Sequence, residues 1–482
     1  MAVKDIIRRD ITRSIYFWLL LQPLIDIVTS LMIRVGITLT IGIVLRAVFL
    51  LLTTLYALMN LSKSRYKLPA TVWYVLTAAY VIAHIVYLSG MGGDGLVANL
   101  IGLFKTFTFP VLLVNFLVLR ERRLLRIDWV PLGLLGLVYG ILIVIPALTG
   151  TAFPSYVDTG IGYVGWFYAA NEVSAILTLL FPLLMLTVLL DVTTFGSAGS
   201  RSSRSRFLRF AYILLVPVVM AFCVTFIATK ALLFAFVFYL ILIILLLVFF
   251  VLRRRFASSR RRSTTMLLTT CAVLALIALL YLVSPFREQQ GQLTRPGLNL
   301  PKIEGEGLWF DLLRLLQPVL SGRDQFIMPI QAVFSSQPPL GQILGLGYAD
   351  LPTYAHGIAK SIEMDFIATF FAHGWAGFLL WFLPLVVVLI LSVSRVFTFL
   401  RKKHHDYPLS ALSILTFGYA LLISLVGAAI SGHALVSPAV SQLIALVFVA
   451  ILNYAESIPE NIDPVSGSSA PENPPKPEEI AQ

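Results

Sequence analysis

Residues 231–252 read ALLFAFVFYLILIILLLVFFVL. No charged side chain interrupts this run of 22 residues, and a helix of that length rises through the ~30 Å hydrocarbon core of a bilayer. A barrel strand would instead alternate apolar and polar positions over ~10 residues. Outward from this stretch the same texture repeats. The 482-residue chain is 58% hydrophobic and 12% charged, with a mean hydropathy of +0.89, whereas soluble domains carry about 25% charged residues. A soluble fold of this length could not bury so much apolar surface. The sequence therefore predicts an all-α, polytopic transmembrane helix bundle. Twelve spans are expected, near 15–33, 37–59, 70–89, 96–118, 128–148, 171–192, 210–228, 231–252, 265–284, 366–393, 408–430 and 438–454.

The loops test that count, because cytoplasmic loops collect Lys and Arg. With Lys4, Arg8, Arg9 and Arg13 inside, every second loop should be basic. Those loops hold Lys63, Arg65 and Lys67, then Arg120, Arg122, Arg123 and Arg126, then Arg201, Arg204, Arg206 and Arg209. Arg253–Arg255 with Arg260–Arg262 follow, and last come Arg395, Arg401, Lys402 and Lys403. Together they account for 25 of the 36 cations, and the intervening loops are short or nearly neutral. The expectation is a multi-pass protein of the cell membrane with both termini cytoplasmic. The net charge of +12 then reports orientation, and nucleic acid is not needed to explain it.

Five regions follow: a basic N-terminus at 1–14, nine spans over 15–284, a long external loop at 285–365, three spans over 366–455 and a tail at 456–482. The tail has six acids, one lysine and six prolines in 27 residues, a composition that builds no core and predicts disorder. The segment 193–209 is a Ser/Gly/Arg linker beside anionic headgroups. Cys223 and Cys271 both lie in apolar runs, offering neither a disulfide framework nor a metal site. No cleavable signal peptide is expected, since the first apolar run contains Asp26 and lacks a small-residue cleavage site.

Candidate chemistry lies where charge meets the membrane. Asp26, Arg46, His84 and Lys105 fall within spans 1 to 4, and Asp26 and Arg46 could pair between neighbouring spans. Lys230, in TFIATKALL (225–233), stands at an external turn with almost no loop around it. It reads either as a cation for an anionic headgroup or as a snorkelling lysine. The external segment TGTAFPSYVDTGIGYVGWFYAA (149–170) enters a span at Asn171-Glu172. In the long loop, LWFDLLRLLQPVL (308–320) spaces Asp311, Arg314 and Gln317 three apart opposite a leucine face, which predicts an amphipathic interfacial helix. The stretch 321–382 is the densest in polar groups, with Arg323, Asp324, His356, Lys360, Glu363, Asp365 and His373. Its Gly345–Gly347 turn permits close backbone approach. A carboxylate there, beside Arg323 and Lys230, suits a general base; the alternative is a satisfied salt-bridge network. The spacings match no metal signature, and no nucleophile elbow, P-loop or dinucleotide fingerprint occurs. No metal or cofactor is expected.

Several motifs in order carry a resemblance: QPLID (22–26), GWFYAANEVSAI (165–176), ATKALL (228–233), SGRD (321–324), PLGQILGLGY (339–348) and EMDFIATFFAHGWAGFLL (363–380). On these the chain resembles the O-antigen ligase and polymerase superfamily of membrane glycosyltransferases, and most its Gram-positive, O-antigen ligase-like branch. The resemblance implies glycan joining at the outer face of the cytoplasmic membrane. The donor would be a glycan on a polyprenyl diphosphate and the acceptor a hydroxyl of a glycan, lipid or protein, with membrane lipids as surroundings. It implies that Arg323, the arginine of Ser-Gly-Arg, and Lys230, at the short-turn arginine position, hold the diphosphate. Counting back from Gly374, Glu363-Met364 occupy the place of the family's His-Asn, so Glu363 is the candidate base. Asp365 and His356 are the other catalytic candidates, His356 lying seven residues too early and able to substitute only with a remodelled loop. Trp166, Tyr168, Asn171 and Glu172 are candidate glycan or lipid contacts, the aromatics either stacking on sugar rings or anchoring at headgroups. The rival expectation is a polysaccharide or lipid-linked sugar transporter. Against it, the loop NLSKSRYKLPA (60–70) lacks the Gly-x-x-x-Asp-Arg pattern usual in major-facilitator proteins, and the ~80-residue external loop breaks the two-half symmetry of transporter repeats.

Overall fold

A computed structural model of the chain describes residues 2–37, 40–90, 95–157, 159–194, 203–252, 257–285, 287, 324–349, 351, 364–401, 407–430 and 432–457. Among these the helices, in order, are α1 (Ala2–Arg34), α2 (Ile41–Leu61), α3 (Lys67–Gly90), α4 (Leu96–Glu121) and α5 (Trp129–Leu148). A hairpin of β1 (Phe153–Tyr156) and β2 (Ile161–Gly165) leads into α6 (Ala170–Thr194), α7 (Ser203–Phe226), α8 (Lys230–Leu252) and α9 (Ala257–Leu282). After the long loop come two shorter helices, α10 (Asp324–Ser336) and α11 (Pro339–Leu344). The chain closes with α12 (Asp365–Arg401), α13 (Tyr407–Ile430) and α14 (Pro438–Ser457).

Eleven of these helices, α1–α9, α12 and α13, are long and apolar enough to cross a membrane; the apolar part of α14, Pro438–Tyr454, is shorter. The twelve expected spans thus correspond to twelve helices in an all-α bundle. Burial separates centre from periphery. The apolar cores of α4 and α6 are 78% and 83% buried, against 22–28% for α2, α3 and α9. The outer helices therefore turn leucines such as Leu51, Leu52 and Leu76 outward, toward the lipid chains that replace water as their solvent. Helix α14 is buried along Ser437–Leu452 and packs on α4, α12 and α6. A helix that is apolar all round belongs at such a centre.

Two features depart from a plain bundle. The segment expected as an external loop at 149–170 forms the β1–β2 hairpin, antiparallel with Pro154 opposite Tyr163 and Tyr156 opposite Ile161. It is too short to span, and pairing satisfies its backbone groups. The second feature is a break within α12 at Gly374, where φ is 63° and ψ −171°. A break strands carbonyls that a continuous helix would have bonded, and the segment after α11 supplies partners for two of them. The Leu346 amide donates to the Phe371 carbonyl at 3.0 Å and the Gly347 amide to Ala372 at 2.9 Å. The Tyr80 hydroxyl takes the third, His373, at 2.8 Å. The crossing needs glycine on both sides. A Cβ on Gly345 would lie 2.4 Å from the Ala372 carbonyl oxygen, and one on Gly374 would lie 2.5 Å from the Gln342 and Ile343 carbonyls.

The amphipathic helix expected at 308–320 lies outside the described residues, as does the tail beyond Ser457. Replacing Gly374 with Ala combines a backbone region other residues avoid with a collision, at a cost of about 2–3 kcal/mol. The expected result is a lower melting temperature of the purified protein, measured by intrinsic fluorescence. Wild-type melting would contradict the crossing.

Candidate active site

Lys230 is the first residue of α8 and is exposed. The connection from α7 is only Ile227–Thr229, all three buried, with Ala228 at φ 62°. Thr229 ties this turn to α6 through a 2.7 Å bond between its hydroxyl and that of Ser174. The hairpin closes over it, for a Cβ on Gly162 would come within 2.7 Å of the Ile227 carbonyl oxygen. Lys230 thus emerges from a rigid corner where α6, α7, α8 and β2 meet. Arg323, His356 and Glu363 lie outside the described residues. Their chain neighbours are anchored in one apolar cluster: Ile327, Ile330 and Phe334 of α10 pack with Leu346, Met364 and Phe371.

Asp365 is buried at the start of α12. Its carboxylate accepts three backbone bonds, from His433 at 2.8 Å, Ala434 at 2.9 Å and Leu435 at 2.7 Å. Both oxygens hold the turn before α14, where Gly432 and His433 adopt positive φ. That turn leads to Ser437, whose hydroxyl donates to Glu172 in the first turn of α6. Asp365 therefore fixes the position of Glu172's partner. His373 is also buried; neither ring nitrogen has a partner among the described residues. The rings of Tyr80, His84, Phe107 and Tyr348 surround it at 5.2–6.4 Å. Tyr348 stacks against this cage with Thr106 donating to its hydroxyl at 3.1 Å, and burial pushes its phenol up to about 12, so it stays protonated.

The aromatic segment splits by role. Phe167 is buried and stacks on Tyr139 at 5.4 Å, while Tyr168 is exposed. The Trp166 indole donates to the Thr151 hydroxyl at 3.2 Å. Asn171 and Glu172 are half-buried just below. Arg34, at the end of α1, sits 3.6 Å over the Phe153 ring and 5.6 Å from the Tyr168 ring, and donates to the Phe167 carbonyl at 3.3 Å. Sequence reasoning did not single out Arg34. The signal was available, since it is a cation at the end of a span opposite to the ends where the basic loops cluster.

Beside these residues lies a cavity of about 160 Å³ between α1, α2, α4 and α6, lined also by Pro438. Asp26 and Arg46 face into it as a short ion pair. Gln22 accepts from Arg46 at 3.1 Å and from Gln442 at 2.6 Å, while Trp18 donates to Gln442 at 2.9 Å. The Tyr139 hydroxyl donates to the other Asp26 oxygen at 2.6 Å. The pair expected between neighbouring spans is thus the centre of a network joining α1, α2, α5 and α14. Lys105 lines the same cavity. Among the described residues no group of three His, Cys, Asp or Glu side chains is arranged for a metal.

The family model described as "O-antigen ligase like membrane protein" matches residues 9–293 and 308–457. No curated protein and no solved structure matches the chain.

Removing one partner of a buried pair strands a charge, at about 3–5 kcal/mol, whereas replacing both by apolar residues is often near neutral. Arg46→Met should therefore lower the melting temperature of the purified protein sharply, and adding Asp26→Leu should restore most of the loss. Equal melting of the single variant and wild type would refute this account of the network.

Proposed function

The chain belongs to the O-antigen ligase like membrane protein family, and from that premise we propose that it joins a glycan carried on a polyprenyl diphosphate to an acceptor hydroxyl at the outer face of the cytoplasmic membrane. The acceptor is a further repeat unit or another cell-surface glycan, lipid or protein. In this reading the acceptor oxygen attacks the anomeric carbon. The bond from that carbon to the diphosphate oxygen breaks, the electron pair leaves with the lipid diphosphate, and the hydroxyl proton passes to a base.

The observation that carries the reading is family membership over most of the chain. The placement of Lys230 supports it: an exposed cation on a turn three residues long, held rigid by Thr229 and Ser174. Charge grows on the leaving diphosphate as the bond breaks, and fixed cations at a partly dry interface stabilise that growth. Lys230 and Arg323 have this role. As an ammonium, Lys230 offers a point charge without the two-pronged fork of arginine. Glu363 is the proposed base, with His356 as the substitute. Asp365, whose carboxylate is taken up by three amides, positions the ground next to Glu363. Trp166, Tyr168, Asn171 and Glu172 contact the glycan or its lipid. The orientation follows from the basic loops: both termini cytoplasmic, and the hairpin, the α7–α8 turn and the 285–365 loop outside.

The test is polysaccharide chemistry in a deletion strain complemented by variants. Single lipid-linked repeats accumulating without the protein mean polymerisation, and complete but unattached chains mean ligation. Lys230→Ala and Arg323→Ala should each abolish joining at normal membrane levels of protein, with Lys230→Arg retaining it. Glu363→Gln should slow joining by about 10²–10⁴-fold, the range of general-base catalysis. Full activity in both cation variants would remove the diphosphate clamp, and an unchanged rate in Glu363→Gln would move the base to His356.

A further inference from the structure

The cavity beneath the rim contains polar groups that the network around it leaves without partners. Thr40 is the N-cap residue of α2, where a threonine hydroxyl ordinarily accepts from its own helix. Here it makes no capping bond. Thr40 is 1% exposed, lines the cavity, and its hydroxyl has no partner among the described residues. The Thr29 hydroxyl on α1 lines the same space and is likewise buried, with no partner among the described residues. Lys105, an exposed residue of α4, lines the same space and makes no hydrogen bond or ion pair among the described residues. Glu172 is the fourth, with one carboxylate oxygen engaged by Ser437. Buried hydroxyls without partners are uncommon in native structures and call for an explanation.

The chemistry of the walls selects the ligand. Two cations, Arg46 and Lys105, are balanced by two carboxylates, Asp26 and Glu172, so a diphosphate would meet two acids and an amine two bases. A lipid chain would leave the two buried threonine hydroxyls with nothing to bond. Lys105 can only donate, Glu172 as a carboxylate can only accept, and the threonine hydroxyls do both. A ligand dense in hydroxyls satisfies all of them, because each of its groups also donates and accepts. The cavity is large enough for several waters or one sugar ring. Its rim carries Tyr168, an exposed aromatic face.

We propose that this cavity is a binding subsite for one neutral sugar unit, set by Thr29, Thr40, Lys105 and Glu172; the assignment rests on the glycan-joining reading above. The subsite is distinct from the diphosphate position. Glu172 and Ser174 are two residues apart on α6 and so point about 200° apart around the helix. Glu172 faces the cavity, and Ser174 holds the turn that presents Lys230. The first turn of α6 is the partition between the sugar and the phosphate.

The experiment is saturation-transfer NMR on the full chain in nanodiscs. The probes are methyl glycosides and disaccharides of glucose, galactose, mannose, rhamnose and N-acetylglucosamine. At least one neutral sugar should receive saturation, and inorganic pyrophosphate should not displace it. Thr29→Val with Thr40→Val should weaken that sugar at least tenfold while melting stays unchanged, and Lys105→Met should weaken it independently. The proposal falls if no sugar registers, if pyrophosphate competes, or if binding survives in both the threonine and lysine variants, in which case water alone fills the space. A deletion strain with normal surface glycan alongside positive sugar binding would overturn the joining reaction and keep the cavity. Lost joining with no sugar binding would do the opposite.

Discussion

A charge inside a bilayer has no water to return to, and the Asp26–Arg46 pair is the interaction on which this bundle turns. Arg46 carries donors beyond those Asp26 can accept, so Gln22 takes part of the remainder; Asp26 in turn accepts from Tyr139. Gln22 shares α1 with Asp26, Tyr139 lies on α5, and Gln442, bonded to Gln22, brings in the central α14. One unavoidable desolvation is thus spread over α1, α2, α5 and α14. Asp26 and Arg46 of this network also line the cavity, so the pair that holds the outer helices to the centre also shapes the space between them.

A second set of contacts governs how the long 285–365 connection meets the bundle. At Gly374 helix α12 opens and accepts the backbone of residues 345–347. His84 contributes through its Nδ1, 2.8 Å from the Leu344 carbonyl, and Asn99 receives the amides of Tyr348 and Ala349 at 2.6 and 2.9 Å. The loop is therefore attached by its backbone as well as by the buried Leu346 and half-buried Tyr348 side chains. On the far side of the break, Asp365 clasps the 433–435 turn, and through Ser437 that turn reaches Glu172. The proposed base segment and the proposed sugar subsite share one scaffold.

The spans were legible because an uninterrupted apolar run of about 20 residues has few other uses, and the basic loops marked their ends. The glycine turn at 345–347 was readable as a place of close approach, and its partner at Gly374 was not, because a glycine inside a hydrophobic helix carries no local sign of a break. The hairpin at 153–165 escaped notice since strands of four and five residues are too short to show alternation. Lys230 was visible as a cation stranded between two apolar runs. Arg34 sends the same signal but reads equally as the ordinary terminus of a span. Asp365 illustrates the limit most clearly: its three partners lie 68 to 70 positions away, and nothing in EMDF announces them. The cavity is of the same kind, assembled from threonines whose significance lies only in what they fail to touch.

The burial of α14 carries a consequence for the membranes this protein can inhabit. Its apolar stretch, Pro438–Tyr454, rises roughly 26 Å at 1.5 Å per residue, less than a typical hydrocarbon thickness. Enclosed by other helices, it has no hydrophobic mismatch to relieve. Thicker or thinner bilayers are accommodated by tilt among the lipid-facing helices, while the residues α14 contributes, Gln442 and the adjoining Ser437, keep their depth. The centre of the molecule is gauged by protein alone.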